Sequence, residues 1–432
     1  MQLIAIGGTI GTGLFLGAGK AIELAGPSII LAYLIVGTAL FFVMRALGEL
    51  LLTESGFESF TDFTTHYVGS WAGYITGWTY WFCWIMVAMA DIIAVGLYVN
   101  YWFDIPQWIP ALIAVIVLLT LNLLTVKLFG ELEFWFALIK IVTIVGLIIV
   151  GIIMLVTGFE TEHGQATVRN LWEHGGFFAN GLSGFLLAFQ MVVFAFVGVE
   201  LVGVTASETA DPKKNIPSAI NKIPMRILLF YVGALIVILS ITPWTNISAA
   251  SSPFVQVFTL VGIPVAAGLI NFVVLTSAAS AGNSGLFSTS RMLYNLGKND
   301  NAPKTFAKLN KRAVPQNALI TSTIVAAFGA LLAKLLPDTA FNLVTTISAI
   351  CFIWVWSMIL ISHIIYKRRH PQQHAASTFK APLTPAINYI ILAFFAFLLI
   401  IMAVAEETRL ALLCTPIWFI LVAITYKLTK KK

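Results

Sequence analysis

The sequence predicts an all-α polytopic membrane protein, and three observations predict it. The chain is 59% hydrophobic and 10% charged, whereas soluble domains carry about 25% charged residues. Its apolar residues fall into twelve long runs, each near the ~20 residues that cross a bilayer. Two of those runs, the first and the sixth, are interrupted where an anchor helix would be continuous.

The runs lie at 1–19, 27–48, 69–99, 107–126, 134–158, 181–206, 225–243, 254–290, 317–336, 339–366, 384–405 and 409–427. The connections are too short to fold alone, so residues 1–432 form one integral domain. The first run, MQLIAIGGTIGTGLFLGAG, holds glycines at 7, 8, 11, 13, 17 and 19. Each glycine costs a helix interior about 1 kcal/mol against alanine, so an unwound centre is expected. Such backbone is tolerated in lipid only where protein buries it or it lines a cavity. That makes it a candidate substrate site.

Residues Lys20 to Gly26 read as an outer turn before Pro27 opens the second run. That run ends in MRALGELLL, where Arg45 and Glu49 stand i, i+4 and read as an ion pair. Residues 53–68 are polar with spaced aromatics and predict a short helix along the inner interface. Asp91 lies well inside the third run; function, snorkelling and a structural hydrogen bond all remain open for it. Glu131 and Glu133 precede the fifth run and complement its positive end. Lys140, two turns further in, must snorkel or face the interior, where a lysine can load and release a proton.

The sixth run carries the second weak point, Phe194 to Glu200. A buried Glu200 is costly unless it accepts hydrogen bonds or is protonated, so it either satisfies backbone amides of a broken helix or titrates. The eighth run ends in TSAASAGNSG, a small-residue surface able to pack closely on another helix, the disrupted first run among them.

The net charge of +6 does not point to nucleic acid. With the amino terminus inside, the inner connections and the carboxyl terminus hold roughly 20 of the 25 Lys and Arg. Lys20, Arg169, Lys334 and Arg409 fall outside, and Lys140 within a span. Both termini are therefore expected in the cytosol. Cys83, Cys351 and Cys414 read as small buried hydrophobes without metal or disulfide spacing. His163 and His174 are isolated, and His370 and His374 flank Pro371 in a basic loop, so no metal site is expected. The first run lacks a basic leader and a cleavage site, so no cleavable signal peptide is expected.

Interrupted helices at corresponding places in two halves point to a transporter site built on an inverted repeat. Five runs per half make the repeats 1–158 and 181–366 run oppositely across the membrane, with 384–427 as two further helices. Freed N–H groups at a half-helix start suit a carboxylate, and freed carbonyls suit an ammonium. Both together suit a zwitterion.

GGTIGTGLFLGAG, MRALGELLL, WAGYITGWTYWFCW, GELEFWFALIK, FAFVGVELVGVTASETADPKKNIPSAI and NSGLFSTSRMLYNL together resemble the amino-acid permeases of the amino acid–polyamine–organocation superfamily, along the whole chain. The resemblance implies a leucine-transporter-like fold, two inverted five-helix repeats plus two extra helices, in a bacterial cytoplasmic membrane. It implies a substrate carboxylate at Gly11-Thr12-Gly13, through the Thr12 hydroxyl and backbone N–H groups. The ammonium is expected at carbonyls of Thr9, Phe194 and Val197, with Gly198 in the same break and Phe194 as an aromatic lid. Lys140 matches a lysine thought to take a sodium ion's place in proton-coupled relatives, with Ser284 near it and Glu200 as a further coupling or gating residue.

Proton symport is implied, with lipid, protons and a small neutral amino acid as partners and no cofactor. MRALGELLL, GWTYWFCW with MADI, INFVVLTSAAS and AVPQNAL narrow the resemblance to members that carry D-alanine, D-serine, glycine and L-alanine; proline and γ-aminobutyrate are the runners-up. Family members usually carry a hydrophilic segment ahead of the first span, whereas this sequence opens at Met1-Gln2-Leu3. A channel would show charged rings or filter loops, and a membrane enzyme a nucleophile or metal cluster. Neither pattern is present. A permease-fold nutrient receptor is the closer rival.

Overall fold

The computed structural model describes residues 10–53, 57, 60–124, 126–161, 164–201 and 211–430. It is mostly helical. Nine helical runs among the described residues are long and apolar enough to cross a membrane, and Trp108–Leu123 and Gly181–Ala195 are shorter apolar helices. The twelve expected spans thus do not appear as twelve long helices.

The chain enters through a short helix, α1 (Thr12–Phe15), and passes through Leu16 into α2 (Gly17–Ala25). Helix continues past Lys20, contrary to the expected turn there. The reversal is confined to Gly26–Ser28, because Gly26 takes φ +59° and Pro27 has no N–H to donate. Helix α3 (Ile29–Thr53) follows, then the short α4 (Phe60–Tyr67), which buries Phe60 and Phe63 as an interfacial helix would.

Next come α5 (Ser70–Val99), α6 (Trp108–Leu124) and α7 (Val126–Thr157). A two-residue hairpin pairs Glu160–Thr161 with Gly164–Gln165, and a single turn, α8 (Asn170–Glu173), leads on. The sixth expected span is α9 (Gly181–Leu187) and α10 (Phe189–Ala195), after which residues 196–200 are turns. Then follow α11 (Pro212–Asn221), α12 (Ile223–Arg226), a wide π turn at Ile227–Gly233 and α13 (Ala234–Ile241).

The eighth expected span is divided. Helix α14 (Pro253–Leu260) ends at Gly262, with φ +77°, before α15 (Pro264–Lys298) begins. Pro264 restricts the residue before it, and Gly262 supplies the reversal. The chain closes with α16 (Gln316–Leu335), α17 (Ala340–Arg369), the short α18 (Pro371–Ala376), α19 (Ala386–Val404) and α20 (Glu406–Lys430).

Helix α5 forms the centre, packed along α15, α16 and α17. Ile113, Ile116, Val142, Val156, Ile400 and Ile417 stand exposed on the outer helices. Such surface suits lipid rather than water. Cys83 and Cys351 are buried as expected, but Cys414 is exposed on α20.

Two further expectations are corrected. Arg45 does not take Glu49 as its hydrogen-bonding partner: it donates to Asn221 and to the Lys380 carbonyl and lies over the Phe379 ring. Glu133 is not a solvated acid at a helix start, because α7 begins at Val126 and places it two turns inside, fully buried.

Candidate functional site

The two sequence breaks meet. Gly11 is extended, with φ −130° and ψ −157°, and α1 starts directly after it. The first N–H groups of a helix have no partner within it, so Thr12 and Gly13 open the helix with donors free of that ladder. Opposite them, α10 ends at Ala195. A Cβ on Gly13 would stand 2.6 Å from the Ala195 Cα and 3.1 Å from the Phe194 carbonyl oxygen. Only glycine permits this approach.

The second break is held from several sides. Gly198 has φ +99°, which reverses the chain, and its N–H donates to Glu200 Oε2 at 3.2 Å. Tyr80 Oη–H donates to Glu200 Oε1 at 3.2 Å. Glu200 is thus the carboxylate that satisfies backbone in a broken helix. Within the break, Phe196 stacks on Tyr231 at 4.8 Å between centroids.

Helix α15 backs the first break with its small residues, as the sequence suggested. Ser277 Oγ–H donates to the Ile10 carbonyl at 3.3 Å, and a Cβ on Gly11 would come within 3.3 Å of the Ala281 Cβ. Between these elements lies a small, partly open cavity lined by Gly11, Thr12, Gly13, Trp84, Val87, Asp91, Phe194, Ala195, Val197 and Ala281. Five of the residues chosen from sequence line it: Gly11, Thr12, Gly13, Phe194 and Val197. Gly198 is adjacent in the chain, and Thr9 lies outside the described residues.

Of the other five lining residues, two carry polar side-chain groups: Asp91, whose role the sequence left open, and Trp84, which sequence reasoning missed. Thr12 Oγ1–H donates to Asp91 Oδ1 at 2.7 Å, so the hydroxyl assigned to a substrate carboxylate already has a protein acceptor. Asp91 does not snorkel; it is 1% exposed, and its Oδ2 has no hydrogen-bond partner among the described residues. Trp84, seven residues before Asp91 on the same face of α5, buries its indole beside the same cavity. The spacing of Trp84, Ala88 and Asp91 on one face of α5 was the available signal.

Lys140 faces the interior and is 1% exposed. Its Nζ donates to Ser280 Oγ at 3.2 Å, and Ser280 is hydrogen-bonded to Glu133 Oε2 at 3.0 Å. Ser280, one turn before Ser284, therefore meets the lysine, while Ser284 is buried nearby on α15. Glu133 and Asp91 are the carboxylates whose charges act on Lys140. Glu133 and Lys140 stand seven apart on α7, a same-face spacing readable in the letters. The arrangement offers donors, a free carboxylate oxygen and an aromatic wall around one small space, with a buried ammonium behind it.

The model of the amino acid permease family matches residues 1–432. The chain belongs to that family. It is 58% identical to the amino-acid permease AapA of Bacillus subtilis over 433 residues, covering all of this chain and 94% of that protein. A transporter of the same organism, YdgF, is also 58% identical with the same coverage. The D-serine/D-alanine/glycine transporter of Escherichia coli K12 is 53% identical over 436 residues, again across this whole chain and 93% of the relative. This permease is accordingly a multi-pass membrane protein that transports amino acids, not an enzyme.

Proposed function

We propose that the permease is a secondary active importer of small neutral amino acids, D-alanine, D-serine, glycine and L-alanine, driven by protons and working by alternating access. The carrying observation is the cavity where the Gly11–Gly13 and Phe194–Gly198 breaks meet. A substrate carboxylate docks at the Gly13 N–H in the opening turn of α1, where the helix dipole favours negative charge; the Thr12 N–H already serves Asp91. The ammonium takes carbonyls at Phe194 and Val197 and, in addition, the unpartnered Asp91 Oδ2. Phe194 and the close Gly13–Ala195 approach leave room for a short side chain only, which favours alanine, serine and glycine over bulkier substrates. The 53% identity to a D-serine/D-alanine/glycine transporter supports the same class.

The architecture proposed for this is twelve helices, with 1–158 and 181–366 as inverted repeats broken at helices 1 and 6, and both termini in the cytosol of a bacterium. Lys140 carries the coupling, as a buried ammonium held by Ser280 and flanked by Glu133 and Asp91. Glu200 holds the second break in shape.

The test is uptake by purified protein in liposomes with an imposed proton gradient. D-alanine, D-serine and glycine compete with one another, and accumulation collapses with a protonophore. Sodium-driven uptake indifferent to the proton gradient would overturn the coupling. Binding of one equivalent without accumulation would favour a receptor, and preference for proline or γ-aminobutyrate would redraw the substrate.

A further inference from the structure

Away from the cavity, near the ends of α3 and α17, lies a second cluster of titratable groups. Glu49 and His363 are fully buried, and His374 on α18 is 16% exposed. Glu49 Oε1 stands 2.6 Å from His374 Nδ1, and Glu49 Oε2 stands 3.0 Å from His363 Nε2. The Ala381 N–H donates to Glu49 Oε2 at 2.7 Å and fixes the carboxylate. Each of the three side chains offers one ligand atom, all within 4.8 Å of one another. Four chain segments converge here: α3, α17, α18 and the stretch leading into α19.

We propose that Glu49, His363 and His374 form a binding site for a divalent transition-metal ion of the Zn2+ type. Two imidazoles and a carboxylate are a ligand set that zinc takes, with a fourth position left to water. Zinc–nitrogen and zinc–oxygen bonds near 2.1 Å put tetrahedral neighbours about 3.4 Å apart. The contact at His363 therefore opens by about 0.4 Å and that at His374 by about 0.8 Å. The larger movement falls on α18, a six-residue helix at the surface, which is also the entry path.

The outer partner of His363 suits both states. Asn388 Nδ2 stands 3.0 Å from His363 Nδ1, and Asn388 Oδ1 is buried with no partner among the described residues. With Nδ2 toward the ring, the amide donates to Nδ1 and leaves the proton on Nε2, facing Glu49. Turned over, Oδ1 accepts from Nδ1–H, and the Nε2 lone pair faces the carboxylate, as metal ligation needs. One unpaired amide atom is exchanged for the other. Arg45 and Lys367 are the nearby cations, but Arg45 is directed to Asn221, Lys380 and Phe379, and Lys367 to Thr384. Neither is bonded to the cluster.

The experiment titrates the purified full chain in detergent with Zn2+ against a chromophoric chelator, and repeats it with Co2+ to record the visible bands of a tetrahedral site. The wild type binds one ion. His374→Ala weakens binding more than tenfold and abolishes the cobalt bands, and Asn388→Ala weakens it about tenfold. His370→Ala, which alters a neighbouring ring, leaves binding unchanged. Zinc raises the unfolding temperature of the wild type and of His370→Ala but not of His374→Ala; His374→Asn repeats the test if the alanine variant does not fold. No saturable binding by the wild type, or equal binding by the His374→Ala and His370→Ala proteins, overturns the proposal.

Discussion

Gly13→Ala is the sharpest probe of the meeting of the two breaks. The added Cβ would lie 2.6 Å from the Ala195 Cα, 3.0 Å from its nitrogen and 3.1 Å from the Phe194 carbonyl oxygen. Ordinary contact needs 3.4 Å or more, so α1 and the end of α10 must part by close to an ångström. No flexible side-chain tip is there to yield; the obstructing atoms are backbone. Overpacking of this kind costs about 1–3 kcal/mol, or roughly 5- to 150-fold in the population of the packed arrangement. Gly146→Ala on α7 is the control, since its new Cβ would meet nothing within 4 Å and alanine favours helix by about 1 kcal/mol. Both variants are reconstituted, and uptake per transporter and unfolding temperature are measured. Gly13→Ala is expected to lose most uptake and Gly146→Ala to keep it with equal or higher stability. If Gly13→Ala transports and melts like the wild type, the breaks do not meet at this glycine.

Other perturbations separate the roles assigned around the cavity. Lys140→Ala is expected to abolish concentrative uptake while substrate exchange persists; unchanged accumulation would remove Lys140 from coupling. Gly198→Ala forces a side chain into φ +99° and costs about 1–2 kcal/mol, seen as a lower unfolding temperature and slower uptake. Thr12→Val leaves Asp91 Oδ1 without its donor, a penalty of about 1–3 kcal/mol, read as loss of stability with the cavity's shape kept. Asp91→Asn keeps an acceptor for Thr12 but removes the charge, and the KM for glycine should rise about tenfold or more; an unchanged KM removes Asp91 from substrate binding.

The membrane class and the helix opening after the glycine-rich stretch at Gly11 were legible because lipid imposes them. Length and the exclusion of charge write the spans, and clustered glycines write the break. Where the chain turns was less legible. The Gly262 reversal depends on a positive φ two residues before Pro264, and the apolar letters around it read as continuous helix; at Gly26 a turn was expected, but spread over Lys20 to Gly26 instead of confined to Gly26–Ser28. Long-range pairing was least legible. The i, i+4 spacing of Arg45 and Glu49 suggested a pair, yet Glu49 meets His363 and His374, more than 300 residues along the chain. Thr12 and Asp91 are 79 residues apart, and no local pattern in either segment marks the other as its partner. By contrast, the depth of Lys140 narrowed it in the sequence to snorkelling or the interior, and the fold places it in the interior.

These long-range contacts give the proposed coupling a physical route. Asp91 lines the cavity and also acts electrostatically on Lys140, which is held by Ser280 with Glu133 beyond it. An ammonium arriving at Asp91 Oδ2 changes the field that the carboxylate exerts on the lysine. In a water-poor interior such interactions are screened far less than at a surface. Substrate at one place then alters proton binding at the other, and by linkage protonation alters substrate affinity by the same factor. No moving element is needed for that first step, since the groups already surround the α1 opening. The consequence is specific. If Asp91 is the relay, the Asp91→Asn protein binds glycine with an affinity that no longer varies with pH, whereas Thr12→Val, which keeps the carboxylate, retains that variation.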